Sequence, residues 1–148
     1  MSLSDATTAW VAIIASPVVG SFLGVVIERL PARRPFLWGR SYCDACGHAL
    51  GPLDLVPFAS WIASRGRCRH CAARLSVFYP LIEFGAVLVA IWSALTTSGW
   101  RMLASCALGW ALLVIAVIGY RKNKSLWPPI LALAVWLVWL YAIAPRLL

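Results

Sequence analysis

The chain alternates between long runs of uncharged, mostly apolar residues and short polar segments. Four such runs occupy residues 6–27, 84–100, 102–120 and 125–145. A helix needs about 20 mainly apolar residues to cross the hydrocarbon core of a bilayer. The pattern therefore predicts an all-α integral membrane protein with about four transmembrane helices, one sizeable polar loop and two short connections.

The polar loop follows the first apolar run and divides the chain into three parts. The first transmembrane helix is predicted over residues 1–30, since Pro31 and Pro35 prevent its continuation. The loop is predicted over residues 31–78, and three further transmembrane helices over residues 79–148. The first run is long enough to span and has no basic residues before it, so we predict a retained helix rather than a cleaved signal peptide.

Positive charge is concentrated on one side of the predicted spans. The chain has 13 Lys and Arg against 5 Asp and Glu, which gives a net charge of +8. Arginines crowd the polar loop, the third connection adds Arg121, Lys122 and Lys124, and the opposite side receives only Arg101 and Arg146. The positive-inside rule places the loop in the cytoplasm and both termini outside. Arginines near a bilayer bind anionic lipid headgroups, so we expect membrane lipids as partners and no nucleic acid.

The polar loop contains two C-x-x-C pairs. Cys43 and Cys46 form the first pair, and Cys68 and Cys71 form the second. Two such pairs are typical of knuckles that bring four thiolates around one tetrahedral zinc ion, and Gly47 suits a tight turn after the first pair. A reducing cytoplasm favours zinc over disulfides. The sequence thus predicts a small zinc-ribbon-like loop, and the alternative is reduced or redox-active cysteines without metal.

Other polar residues in or beside the loop each have two interpretations. His48 and His70 are substitute ligands or, beside a complete cysteine set, bystanders. Asp54 caps the short helix that follows it or pairs with a nearby arginine. Glu83 falls in the first turn of a second membrane helix predicted to begin at Pro80, where the helix dipole favours an anion. The other interpretation makes Glu83 a functional acid at the membrane face.

Two apolar features also have two interpretations. Phe58, Trp61 and Ile62 share one face of the short helix, which either lies on the membrane surface or packs against the metal module. Gly20 and Gly24 form a G-x-x-x-G in the first span, which permits close approach of another helix. The alternative is that glycine is simply common in membrane helices.

Five segments, in this order, resemble the N-terminal part of the type IV prepilin peptidases. They are G-S-F-L-G-V-V-I-E-R-L-P from residue 20, R-S-Y-C-D-A-C-G-H from residue 40, P-L-D-L-V-P-F-A-S-W from residue 52, R-G-R-C-R-H-C-A-A-R-L-S from residue 65 and Y-P-L-I-E from residue 79. The resemblance covers residues 20 to about 90. It implies a multi-pass protein of the bacterial inner membrane, with periplasmic termini, that works on prepilins or pseudopilins in type IV pilus or type II secretion biogenesis. Members of that family cut the prepilin leader, and many then methylate the new N-terminus with S-adenosylmethionine, a reaction with which the tetracysteine loop is associated.

The departures from the family pattern concern the peptidase chemistry. The segment V-I-A-V-I-G-Y-R-K-N-K resembles the one in which the first catalytic aspartate precedes a basic loop, and Gly119 occupies that position. The G-x-G-D motif that carries the second aspartate does not occur in this sequence. Gly24 stands where family members usually have Asn. Because aspartyl chemistry needs two carboxylates, we predict a truncated family member, a pseudoenzyme as a peptidase.

Three functions are therefore left open. In the first, the chain is a pilin N-methyltransferase that uses S-adenosylmethionine. In the second, it is a noncatalytic scaffold or partner, paired with a separate peptidase subunit or with itself through Gly20 and Gly24. In the third, it is a membrane-tethered zinc-ribbon binding module, which leaves the G-S-F-L and Y-P-L-I-E segments unexplained and therefore ranks last.

Overall fold

The described part of the chain is built of helices. A computed structural model describes residues 3–35, 40–124 and 127–139, and no β-strand occurs among them. The helices are α1 (Leu3–Arg29), α2 (Ala59–Ala63), α3 (Phe78–Thr96), α4 (Gly99–Asn123) and α5 (Trp127–Val138), with a single 3₁₀ turn at Pro52–Asp54. The prediction of an all-α protein is confirmed for these residues.

Three of these helices, α1, α3 and α4, are each long and apolar enough to cross a membrane. They correspond to the first three apolar runs of the sequence. The fourth predicted span begins in α5, whose 12 residues form a shorter apolar helix, and the end of that run lies outside the described residues. Many large apolar side chains along these helices are exposed, as lipid-facing positions are.

Helix α3 begins earlier than the sequence pattern predicts. The Phe78 amide donates to the Ser76 hydroxyl at 3.1 Å, which satisfies an N–H group at the helix start. Pro80 then lies in the first turn, where its missing N–H costs no helical hydrogen bond. The placement of Glu83 in the first turn is therefore wrong, because the first turn of α3 contains no acidic residue.

Helix α1 buries a line of small residues and turns its large side chains outward. The buried line is Ala12, Ser16, Gly20 and Gly24, and the exposed side chains include Val11, Ile14, Val18 and Phe22. Pro17 has no N–H to give the Ile13 carbonyl, and the Ser16 hydroxyl donates to that carbonyl instead, at 2.6 Å. This bond keeps a carbonyl satisfied inside an apolar span, where an orphan would be costly.

The chain divides into two compact units, of which the first combines Met1–Ser16 with Gly85–Leu148. Within it, the Ser93 hydroxyl donates to the Ser105 hydroxyl at 3.0 Å, and the Trp136 indole donates to the same Ser105 oxygen at 3.3 Å. The Trp110 indole donates to the Ala86 carbonyl at 3.0 Å. The buried residues of α4 are Met102, Ser105, Cys106, Gly109 and Ala116. Small residues and hydrogen bonds thus hold α3, α4 and α5 together. This is usual for membrane helices, because lipid tails are as apolar as the side chains and the hydrophobic effect does not drive the helices together.

The second unit, Pro17–Phe84, contains the end of α1, the polar loop and the start of α3. A Cβ on Gly24 would lie 2.8 Å from the ring atom Cδ1 of Tyr79. The close approach predicted for the G-x-x-x-G therefore occurs at Gly24, but with the first turn of α3 in the same chain. Self-association through Gly20 and Gly24 stays a prediction.

Candidate metal centre

The first C-x-x-C pair lies in a tight turn that we call the first knuckle, residues 41–50. The Cys43 amide donates to the His48 carbonyl at 2.9 Å, and the Gly47 amide donates to the Cys43 carbonyl at 2.8 Å. These two bonds fold the chain back on itself, so that Cys43 and Cys46 present their sulfurs from one turn.

The second knuckle, residues 66–75, has the same pattern of backbone hydrogen bonds as the first. The Cys68 amide donates to the Ala73 carbonyl at 2.9 Å, and the Ala72 amide donates to the Cys68 carbonyl at 2.9 Å. Each knuckle is closed by an isolated antiparallel bridge, Tyr42 with Ala49 and Arg67 with Arg74. The two knuckles are therefore equivalent structures, although their sequences share little beyond the cysteines.

One backbone position distinguishes the two knuckles. The residue after the second cysteine has a positive φ in both, +67° at Gly47 and +57° at Ala72. Only glycine adopts this conformation freely, and an L-residue with a Cβ loses roughly 1–2 kcal/mol there. The second knuckle therefore carries strain that the first avoids.

We expect the substitutions Gly47→Ala and Ala72→Gly to have opposite effects on the module. Nothing lies within 4 Å of a Cβ placed on Gly47, so its replacement introduces only the backbone strain, about 1 kcal/mol. Ala72→Gly removes the same strain. Chelator competition should show metal affinity falling about fivefold for Gly47→Ala and rising by up to that factor for Ala72→Gly. Shifts in the same direction for both variants would contradict this account.

The two knuckles bring their four cysteine sulfurs together. The ligand atoms of Cys43, Cys46, Cys68 and Cys71 all lie within 4.8 Å of one another, and Cys43 Sγ is 3.8 Å from Cys71 Sγ. Zn–S bonds of about 2.3 Å in a tetrahedron put the sulfurs about 3.8 Å apart. Cys43 and Cys68 are buried, whereas Cys46 and Cys71 are exposed. The four thiols can hold a metal ion, and their number, type and spacing are compatible with zinc.

The thiols of the cluster differ in acidity. The amides of Cys71 and His70, followed by the neighbouring thiols, lower the pKa of Cys68 to about 6 against an opposing effect of desolvation. The Ala73 amide lowers the pKa of Cys71, but desolvation and the hydrogen bonds with the other three thiols outweigh it and raise that pKa to about 12. The protein alone thus favours the thiolate of Cys68 over that of Cys71. A bound cation would hold all four as thiolates.

The two histidines lie together beside the cysteines. The ring centroids of His48 and His70 are 3.4 Å apart, with 31° between the planes. The metal-competent group among the described residues consists of the four cysteines alone. The rings therefore stack with each other, in keeping with the interpretation of both residues as bystanders.

Asp54 pairs with a nearby arginine, as one interpretation of the sequence suggested. The other interpretation, a cap on the helix that follows, is wrong, because α2 has Phe58 at its N-cap position and no side-chain cap. Asp54 Oδ1 lies 3.2 Å from Arg69 Nε, and its Oδ2 accepts the Gly51 amide at 3.1 Å. It therefore caps the 3₁₀ turn and ties the segment between the knuckles to the second knuckle. Because both partners of the ion pair are partly exposed, the pair contributes little to stability, and we expect its effect to be mainly on position.

Glu83 is buried, with only 5% of its surface exposed. Its Oε2 accepts the Phe58 amide at 2.9 Å, across 25 positions of sequence. Phe58 precedes α2 at φ +54°, an unusual conformation for a residue with a side chain. The Glu83 carboxylate thus holds the start of α2. The sequence missed this contact, since no local pattern links an acid in a membrane helix to a loop amide.

Helix α2 exposes a different face from the one expected. Trp61 packs on Gly66, where a Cβ would lie 2.8 Å from the indole atom Cζ2. Ile62 is 67% exposed and Phe58 is only partly exposed. The prediction that these three side chains share one helix face is therefore wrong, because α2 is only five residues long and Phe58 precedes it. Trp61 packs closely on Gly66, and Tyr79 packs closely on Gly24. In the sequence, the two glycines are the signal for these contacts, because only a residue without a side chain leaves room for the ring.

A cavity of about 200 Å³ adjoins the knuckles. Its lining includes Ser21 and Val25 of α1, Trp61 of α2, and Tyr79 and Glu83 of α3. Cys43, Cys68 and Asp54 also reach it. Of the residues singled out in the sequence, the structure thus brings Cys43, Cys68, Asp54 and Glu83 around one cavity.

Comparison with known proteins gives matches to the same part of the chain. The family model described as the bacterial Peptidase A24 N-terminal domain matches residues 14–97, a range that contains all four cysteines, Asp54 and Glu83. A curated protein of Aeromonas salmonicida (strain A449) is named prepilin leader peptidase/N-methyltransferase. It is 34% identical over 133 aligned positions, and the match covers 72% of this chain and 46% of that protein.

Two further relatives carry the same name. The protein of Myxococcus xanthus (strain DK1622) is 44% identical over 82 residues, which cover 55% of this chain and 24% of that protein. The protein of Pseudomonas aeruginosa is 30% identical over 156 aligned positions, and the match covers 89% of this chain and 52% of that protein. The chain thus spans about half the length, or less, of these relatives. No solved structure matches it significantly.

Proposed function

The chain belongs to the bacterial Peptidase A24 N-terminal domain family, and on that premise we propose that it is an inner-membrane pilin N-methyltransferase without peptidase activity of its own. The observation that carries the proposal is the tetracysteine cluster, which lies inside the family match and is fully assembled. Family membership also favours a role with prepilins or pseudopilins over an unrelated zinc-ribbon module. The methyl donor in this proposal is S-adenosylmethionine.

We assign zinc to Cys43, Cys46, Cys68 and Cys71. A zinc ion bound by four thiolates has no open coordination position, so its role would be structural. The protein's own contribution is the pair of knuckles, which place two sulfurs each without help from the rest of the fold. The resulting anchor fixes the segment between the knuckles beside α1 and α3, where the substrate N-terminus would be received.

The acids in this sequence support the proposal that the chain has no peptidase activity of its own. Asp5, Glu28, Asp44, Asp54 and Glu83 are its five carboxylates, and none of them falls in α4 or α5. Gly119 occupies the position that resembles the family's first catalytic aspartate, and its surroundings support the proposal. A Cβ there would lie 2.7 Å from Pro128 Cβ, so the space that a carboxylate would need is filled by α5.

Methyl transfer can be tested on the zinc-loaded chain in detergent. We expect labelled S-adenosylmethionine to transfer its methyl group to a pilin supplied already cleaved, and Cys43→Ser to abolish the transfer by removing a zinc ligand. Cys106→Ser is the matched control, because Cys106 is buried in α4 and does not belong to the metal-competent group. Pilin binding without methyl transfer would favour a noncatalytic partner of a peptidase subunit. Neither binding nor transfer, with zinc in place, would contradict both functions.

The proposal includes an orientation in the membrane. The basic loop lies in the cytoplasm and the N-terminus in the periplasm, because arginines favour the cytoplasmic side. The proposal assigns the C-terminal end of α4 to the cytoplasmic side as well, because its last turn carries Arg121 and Lys122. These charges also suit the negative end of the helix dipole. Phosphatase fusions after residues 50 and 123 should be inactive, and a fusion after residue 98 active. An active fusion after residue 50 would reverse the assignment.

A further inference from the structure

Helix α2 and the residue after it have two faces that differ in their surroundings. The inner face lines the cavity beside the knuckles and consists of Ser60, Trp61 and Ser64. The outer face does not line the cavity, is exposed, and consists of Ala59, Ile62 and Ala63. At 100° per residue these two sets lie on opposite sides of a helical turn. The helix therefore turns an aromatic and polar surface inward and a purely aliphatic surface outward.

Apolar side chains just before α2 enlarge this exposed surface. The Val56 carbonyl accepts the Ser60 amide at 3.1 Å, which joins Val56 to the helical turn, and the Val56 side chain is exposed. Leu53 is also exposed and lies in the 3₁₀ turn, which contacts α2. Together with Ile62, two further large aliphatic side chains are thus exposed in an otherwise polar loop. Exposed apolar side chains that cluster in this way indicate an apolar partner.

Two contacts hold α2 beside the membrane-spanning helices. The Phe58 amide, at the start of α2, donates to Glu83, which lies five residues after the first residue of α3. At a rise of 1.5 Å per residue, this is about 7.5 Å along that helix. Trp61 lines the same cavity as Val25, which lies four residues before the end of α1. The helix α2 therefore lies alongside the terminal turns of two spans, and amphipathic helices at a bilayer surface bury their apolar face about 5–10 Å deep.

The charge around the outer face favours anionic lipid as its partner. Arg65 follows α2 almost directly and is exposed, and the loop over residues 31–78 has seven arginines against two acids. Basic residues beside a bilayer are attracted to anionic headgroups. A second copy of the chain would present the same arginines at a symmetric contact, so like charges would oppose that pairing.

We propose that the outer face of α2 lies on the lipid surface of the membrane. Leu53, Val56 and Ile62 contact the boundary between headgroups and acyl chains, and Arg65 binds the phosphate of an anionic lipid. One short helix thus separates lipid on its outer face from the cavity on its inner face. No step of this inference depends on methyl transfer.

Photo-crosslinking tests the contact with lipid. The full zinc-loaded chain carries a photoreactive amino acid in place of Ile62 and is reconstituted in nanodiscs of phosphatidylethanolamine and phosphatidylglycerol. We expect mass spectrometry to show the chain with the added mass of one lipid. The same amino acid in place of Ser64, on the inner face, is the matched control and should give almost no lipid adduct. Equal lipid adducts at both positions would overturn the proposal, as would a crosslinked dimer, or an adduct with added cleaved pilin, as the main product at Ile62.

Hydrogen–deuterium exchange tests the apolar part of the contact. Ile62→Ser removes the largest aliphatic side chain of the outer face at similar helix propensity, whereas Ile62→Leu keeps an aliphatic side chain. In the same nanodiscs, we expect the amides of residues 59–65 to exchange at least about fivefold faster in Ile62→Ser and almost unchanged in Ile62→Leu. Equal exchange in the two variants would contradict the lipid contact. Since Ile62 is exposed, neither substitution opens the interior, and an unchanged metal content verifies the fold of each variant.

The lipid composition of the adducts tests the role of Arg65. With the photoreactive amino acid in place of Ile62, we expect phosphatidylglycerol to be enriched about fivefold in the adducts over its share of the nanodisc lipid. Arg65→Gln should remove most of this enrichment. Arg121→Gln, which removes the same charge from a different connection, is the control and should preserve it. An equal fall in both variants, or no enrichment in the unmodified chain, would contradict the binding of an anionic headgroup by Arg65.

Discussion

A Cys68→Ser chain is expected to lose its metal, from about one zinc per chain to almost none. Cys68 is 5% exposed, and the metal-competent group among the described residues contains only the four cysteines. Serine keeps the size of the side chain but is a poor ligand for zinc. Apparent binding energies for structural zinc are about 10–16 kcal/mol, so the loss should unfold the loop between α1 and α3. Elemental analysis of detergent-purified protein measures the first effect, and limited proteolysis of the loop measures the second.

Cys106→Ser provides the control for this experiment. Cys106 is 2% exposed in α4, and it does not belong to the metal-competent group. Its replacement should leave the zinc content and the protease resistance of the loop unchanged. The metal assignment is wrong if the unmodified chain, purified without chelators, contains no metal, or if both serine variants retain the same amount.

A carboxylate introduced by Gly119→Asp is expected to disrupt the packing of α4 and α5 without producing a peptidase. The Cβ of any residue at this position would lie 2.7 Å from Pro128 Cβ and 2.9 Å from Pro128 Cγ. A proline ring cannot rotate away as a flexible side chain does, so the helices themselves must separate. Overpacking of this kind costs about 1–3 kcal/mol, before the charge is considered.

Gly85→Ala supplies the comparison for Gly119→Ala. Both glycines lie within helices, where alanine is favoured over glycine by about 1 kcal/mol. At Gly85 the new Cβ would meet the end of the flexible Leu113 side chain at 3.4 Å. Thermal unfolding in detergent should therefore show Gly119→Ala to be less stable than Gly85→Ala by about 2 kcal/mol. Equal stability of the two variants, or prepilin cleavage by Gly119→Asp, would refute this expectation.

The features that the sequence predicted well are those set by local chemistry. Apolar runs of membrane-spanning length predicted α1, α3 and α4, because the backbone N–H and C=O groups of a segment in lipid must form their hydrogen bonds within the helix. The two C-x-x-C pairs were enough to predict the metal cluster, because one turn of the chain places both sulfurs of a pair. The end of α1 at Arg29 followed from the prolines beyond it.

The features that the sequence did not predict depend on contacts between distant segments. The bond between Glu83 and the Phe58 amide joins a membrane helix to the loop, and no periodicity reports such a pairing. The inward packing of Trp61 on Gly66 depends on the turn between them rather than on helical spacing. Ala72 adopts a conformation that favours glycine, so its residue type gave no indication of the second turn.

The two knuckles also determine how this protein can vary. They fix both ends of residues 51–65, and closing a loop becomes only about 0.6 kcal/mol more costly each time its length doubles. That segment supplies Phe58 and Trp61 to the cavity, whereas the sulfurs that hold it lie outside it. The length of this segment can therefore change at little entropic cost while the anchor stays the same, whereas its residues 52–61 keep the pattern that resembles the family.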